Sequence, residues 1–276
     1  VLHSTASLKR TLEIQRRLEA FYLQLFRQLD RFFAPNGEAL VVFGLKPRPP
    51  LKVWFYRDAE QFHSHGKPST PWSAGFYAPS RKTSFFYERS GVIDTLQHEI
   101  VHQILAESSR AAAEAPWLVE GIAVFMQYAE LDKDGRLTLG RIDQNARPMA
   151  FYRKVQAGRA TRRLPDILGL TDPRAWSAAS TEEARLNYES VGALVYFLMN
   201  FDDGTYRGSF LDLLRDRYNG ARASLTEYLG LREAALGEFF RRFYRSGFVR
   251  VNGILMTREE AMRLEEERVA RLYPDP

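Results

Sequence analysis

With 276 residues, 45% hydrophobic and 26% charged, the chain has ordinary globular composition and enough length to bury a sizeable core. It contains no cysteine, which excludes disulfides, thiolate metal ligands and a thiol nucleophile, so any metal must rest on His, Asp or Glu. No run approaches the roughly eighteen apolar residues of a membrane-spanning helix. The formal charge of +5, with a pI near 9.4, comes from arginines interleaved with acids, as in Arg258-Glu259-Glu260, so the surface is a solvated one and no nucleic-acid partner is expected.

From Ser7 to about Phe33, residues Leu8, Leu12, Ile14, Leu18, Phe21, Leu25 and Leu29 recur at helical spacing and predict a long amphipathic helix. The Pro- and Gly-marked stretch from Ala34 to Pro50 holds a short apolar run, Ala39 to Phe43, that reads as a strand or a connection with turns. Leu51 to Tyr56 reads as a buried strand. Ser73 to Tyr77 and Lys82 to Tyr87, separated by Ala78-Pro79-Ser80-Arg81, predict a β-hairpin. After Ser90-Gly91 a helix is expected through about Glu107, with apolar residues on several faces that place it in the core. Pro116 suits the first position of a further helix to about Leu131, and Asp132-Lys133-Asp134-Gly135 a turn. Helices are then expected near 149–158, 181–199, 205–218, 231–246 and 257–271. There is no internal repeat and no low-complexity linker. Residues 1–276 therefore read as one α+β, mostly helical unit, with a small sheet lobe in 1–145 and a helical lobe in 146–276.

The segment Gln97-His98-Glu99-Ile100-Val101-His102-Gln103 sets two imidazoles at i and i+4 of a helix, where they point the same way and can share one ion. Glu99, about 100° around the helix, can reach a water beside that ion without being a ligand. The plainer reading is a pair of structural histidines on a core helix. Against it, the chain has only 5 histidines, so a chance H-E-x-x-H is rare. Catalytic zinc sites take three protein ligands, and the downstream Gly and His of a three-histidine motif are replaced by Leu105 and Ser108. Glu120, in Pro116-Trp117-Leu118-Val119-Glu120-Gly121-Ile122-Ala123, is the candidate third ligand, because Gly121 and Ala123 are small enough to let its helix approach the first closely. A surface acid is the competing reading, and the apolar neighbours on both sides count against it. His63 and His65, in Phe62-His63-Ser64-His65-Gly66, lack a third ligand and read as surface or loop residues.

H-E-x-x-H followed by W-L-x-E-G-x-A resembles the gluzincin zinc metallopeptidases, and specifically the peptidase-MA-like family of bacterial proteins. The strand Leu51-Lys52-Val53-Trp54-Phe55-Tyr56 and the phrase Ala74-Gly75-Phe76-Tyr77 are similar to that family's approach to its metal helix. The run from Asn187-Tyr188-Glu189 to Leu198 is similar to its later helix. The resemblance implies a thermolysin-like catalytic fold, Zn2+ held by His98, His102 and Glu120, Glu99 as general base, and hydrolysis of a peptide or protein substrate. By the same analogy Tyr188 would donate to the developing oxyanion, although an aromatic packed in the core at a helix start would look the same. The aromatic hairpin would offer an edge strand to an extended peptide. Two departures stand out. Val124 occupies the place of the acidic residue that steadies a ligand in thermolysin-like enzymes, and no G-x-M-E-N signature is present, which argues against an aminopeptidase. A zinc-binding scaffold with little turnover is the alternative, opposed by the intact Glu99. Because the chain begins at Val1 rather than Met, we expect an exported protein, periplasmic or extracellular, from which an upstream segment has been removed.

Overall fold

The computed structural model describes residues 1–29, 51–67, 73–109, 115–128, 130–131, 137–138, 146–172, 176, 180–246, 248–251 and 254–272. The expected strand or connection in 34–50 and the turn at 132–135 lie outside them. Among the described residues the protein is α+β and mostly helical with a small mixed sheet, and no helix is long and apolar enough to cross a membrane. It divides into two compact units. One comprises Val1–Ala113, Ile122–Gly140 and Leu214–Arg222; the other comprises Glu114–Gly121, Arg141–Leu213 and Ala223–Pro276.

The first unit is built on a four-stranded sheet of β1 (Leu2–Ser4), β2 (Lys52–Tyr56), β3 (Gly75–Ala78) and β4 (Thr83–Tyr87), in the order β1-β2-β4-β3. β1, β2 and β4 are parallel, while β3 returns antiparallel along β4 through a 3-10 turn at Pro79–Arg81. The hairpin is thus where the aromatic spacing puts it. The long helix α1 (Leu8–Gln28) joins β1 towards β2, as parallel neighbours require. Ser7 caps it, accepting from the Arg10 N–H, and Ile14, Phe21 and Leu25 form its buried stripe while Leu8 and Leu12 stay exposed. Alternation along β2 sends Val53 and Phe55 into the core and Trp54 to the other face, where it stacks on His3 and Tyr56. Gly75 is fixed by packing: a Cβ there would stand 2.4 Å from Cδ1 of Phe86, its partner across the hairpin.

Helix α2 (Val92–Glu107) packs on this sheet with Val92, Leu96, Ile100, Val101, Ile104 and Leu105 all buried, so it runs through the core as its composition predicts. Helix α3 (Pro116–Gln127) follows. The predicted continuation to Leu131 is corrected: Glu130–Leu131 form a short strand, β5, paired antiparallel with β6 (Leu137–Thr138). Two-residue pairing there satisfies backbone groups that a longer helix would have taken.

The second unit is helical. It contains α4 (Arg147–Gln156), α5 (Leu164–Leu168), α6 (Thr181–Asn200), α7 (Arg207–Arg217), α8 (Leu225–Leu229) and α9 (Glu233–Ser246), with the hairpin β7 (Phe248–Val251) and β8 (Ile254–Thr257) and the helix α10 (Arg258–Leu272) after them. The last residues of α7 belong to the first unit. α6 is the central rod, buried from Glu189 to Met199. Phe197 meets Phe240 and Phe243 edge-on at 5.5 and 5.4 Å. Burying each such ring contributes about 1.5–3 kcal/mol. The short α5 and α8 and the β7–β8 hairpin carry too few residues for a hydrophobic period, and none is foreseen from the sequence.

Candidate metal centre

His98 and His102 lie one turn apart on α2, their rings 4.7 Å apart and nearly perpendicular, with Nε2 facing Nε2 at 3.1 Å. Two imidazole nitrogens bound to one tetrahedral zinc at 2.0–2.1 Å are about 3.3 Å apart, so the observed pair already has the spacing of shared ligands. The Glu120 carboxylate joins them: one ligand atom from each of His98, His102 and Glu120 lies within 4.8 Å of the others. His98 is buried and the other two are partly so.

The tautomer of His98 is set by a residue not foreseen from the sequence. Its Nδ1 stands 2.9 Å from Oε1 of Gln127, and a carbonyl oxygen only accepts, so Nδ1 carries the proton and the Nε2 lone pair is left for a cation. Both residues are buried, at 9% and 8% exposure. This supplies the ligand orientation that Val124, buried in the core, cannot give. The signal was present in the sequence: Gln127 is the first polar residue after Glu120 in an otherwise apolar run, and seven positions on it shares the same helix face. A single unbroken helix therefore presents both a ligand and the partner of another ligand.

α2 is fastened to the sheet at the residue after His102. Buried Gln103 accepts from the Ser84 hydroxyl at 2.9 Å and donates to the carbonyls of Lys52 and Lys82 at 3.0 and 3.2 Å. At its end the Tyr77 hydroxyl donates to Glu107 at 2.6 Å, and Lys82 pairs with the same carboxylate. Burial and the neighbouring Glu107 carboxylate push the Tyr77 phenol well above its ordinary value, so it stays protonated. Glu99 is oriented from the sheet too. Its Oε2 accepts the backbone N–H of Tyr77 at 3.0 Å, on the outer strand β3.

Gly121 is small for a different reason from the one expected. A Cβ there would stand 2.6 Å from Cγ2 of Val195 and 3.0 Å from the Val191 carbonyl. The close approach it permits is to α6, because the backbone of α6 passes directly over it. Tyr188, on α6, is partly buried, meets Trp176 edge-on at 5.1 Å, and has the Arg147 guanidinium 4.5 Å above its ring. His63 and His65 are exposed, and His65 Nδ1 lies within hydrogen-bond reach of Ser64 and the Gln61 carbonyl. Among the described residues His98, His102 and Glu120 form the one group with the makings of a metal site.

A family model described as a protein of unknown function (DUF1570) matches residues 92–216, a span that opens on the first residue of α2 and takes in His98, Glu99, His102, Glu120, Gln127 and Tyr188. No curated protein and no solved structure matches the chain.

Proposed function

We propose that the protein is a zinc-dependent metallopeptidase of the gluzincin type, with a thermolysin-like arrangement around its metal. The observation that carries this is the convergence of His98, His102 and Glu120, with His98 held in the ligating tautomer by Gln127. Two neutral nitrogens and one carboxylate suit zinc, and three protein ligands are the number that leaves a position open for chemistry. Bound there, zinc supplies Lewis acidity, which acidifies a water and polarises a carbonyl. Glu99, one residue along α2 from His98, is the base that takes the water proton and returns it to the leaving amine. Its bond to the Tyr77 N–H fixes the carboxylate's direction. On this reading the outer strand β3 accepts an extended peptide by strand addition, with the scissile bond near Glu99. Tyr188 donates to the developing oxyanion, its ring steadied by Arg147 and Trp176.

Two variants test the reading. Purified protein is expected to hold about one zinc per chain, Glu120→Ala to lose most of it, and Glu99→Gln to keep zinc while losing cleavage of a peptide library. Equal cleavage by wild type and Glu99→Gln removes Glu99 as base. Zinc retention without any cleavage by wild type points instead to a zinc-binding scaffold.

A further inference from the structure

Alternation along the strands gives the sheet of the first unit two faces. Ser84 of β4 reaches Gln103 of α2, so Thr83 and Phe85 turn to the opposite, outer face. Lys52 and Trp54 of β2 stand beside them in register. The helical turns Ala59–Gln61 and Phe62–Gly66 cover part of this face, where Phe62 packs with Tyr56, Phe85 and Phe76. Beside them lies a cavity of about 730 Å3, the size of a small-molecule site, and none of its residues belongs to the metal triad.

The groups that present charge to this cavity are open to solvent. His3, Lys52, His65 and Arg81 are exposed, and Trp54 is partly so. No Asp or Glu lines the cavity, and none of those four basic residues forms an ion pair among the described residues. Three of them are already held in place. The Arg81 guanidinium lies 4.0 Å from the centre of the Phe85 ring and donates to the Gly66 carbonyl at 2.6 Å, which brings it to the neighbour of His65. His3 stacks on Trp54 at 4.6 Å. His65 stacks on Tyr56, and its Nδ1 stands 3.1 Å from the Gln61 carbonyl. A carbonyl only accepts, so Nδ1 carries the proton and Nε2 is the atom left for a ligand, a donor once the ring is protonated. Gln61 is committed in the same way: its Oε1 accepts the Thr5 hydroxyl, so its side chain has only the NH2 group left to offer.

The exposed lining is therefore a set of donors, mostly held in place before any ligand arrives, and such preorganisation lowers the entropy lost on binding. Phosphate answers it better than carboxylate. A phosphate monoester carries a charge of about −1.5 to −2 and three acceptor oxygens, which can be met from several sides. Donors on β2, on the β3–β4 turn and at the end of the turn Phe62–Gly66 approach in that manner, whereas the planar carboxylate is met along one edge.

We propose that this face of the sheet binds a small phosphate monoester. Arg81 and His65 hold the phosphate with Lys52 beside them, and the stacked His3 and Trp54 wall the ester body.

Calorimetric titration of the full chain with phenyl phosphate at physiological ionic strength tests this. Saturable binding at one per chain is expected, weakened about tenfold or more in Arg81→Gln and in the double variant Lys52→Gln/His65→Gln, all changes to exposed side chains. No binding by wild type, or unchanged affinity in both variants, overturns the site. Citrate binding as tightly as phenyl phosphate overturns the choice of phosphate. Binding that vanishes when the protein is stripped of metal, with circular dichroism unchanged, moves the ligand to the metal centre and also overturns the site.

Discussion

Replacing Gln127 by Leu isolates the partner of His98 from everything else at the metal centre. The wild-type amide accepts the Nδ1–H of His98 at 2.9 Å where both residues are buried. Without it that N–H loses its acceptor in a site that water reaches poorly, a penalty of about 1–3 kcal/mol. Metal-free protein can escape by moving the proton to Nε2, where the His102 Nε2 stands 3.1 Å away. Zinc-bound protein cannot, because ligation through Nε2 requires the Nδ1–H form, so the penalty falls on the bound state. Zinc affinity is expected to drop by about 10–100-fold, or about 1.4–2.7 kcal/mol, read by competition against a chromophoric chelator. The thermal midpoint in chelator should fall by less than the midpoint in zinc. Gln127→Glu, which keeps an acceptor and adds charge, should retain affinity. Zinc binding by Gln127→Leu within twofold of wild type would refute the assignment, as would an equal loss in Gln127→Glu.

Gly121→Ala forces a methyl against Val195 and the Val191 carbonyl, and should cost about 1–3 kcal/mol in urea unfolding while weakening zinc binding, since Glu120 is its neighbour. Tyr77→Phe should change the pH dependence of stability. The folded phenol holds its proton more tightly than the unfolded one, so its contribution is present below about pH 10 and lost as pH rises further. The drop in thermal midpoint between about pH 9 and about pH 11 should therefore be smaller in Tyr77→Phe, and an unchanged drop would count against the contact with Glu107. Lys154→Met removes the ion pair to the buried Glu189, which keeps Arg185 at 3.5 Å. A loss of about 3 kcal/mol is expected, with a denaturation midpoint like wild type as the contrary result.

Sequence alone determined what depends on spacing along one element. The period of Ile14, Phe21 and Leu25 marks α1, the aromatic runs either side of Pro79 mark the β3–β4 hairpin, and the i, i+4 spacing of His98 and His102 puts two imidazoles on one helix face. Each of these is set by backbone geometry within a few turns. Glu120 was legible as a charge stranded among apolar residues, because burying an unpartnered carboxylate is costly. Tertiary structure alone decided which groups from separate elements meet. It joined Gln127 to His98, the Tyr77 N–H to Glu99, and Gln103 to the starts of β2 and β4. It also turned the small size of Gly121 toward α6. Hydrogen-bond partners distant in sequence leave no period to read, since nothing local distinguishes a glutamine that will orient a ligand from one that faces water. The short strands β5–β8 escaped for the related reason that two to four residues become a strand only once a partner supplies the other half of the ladder.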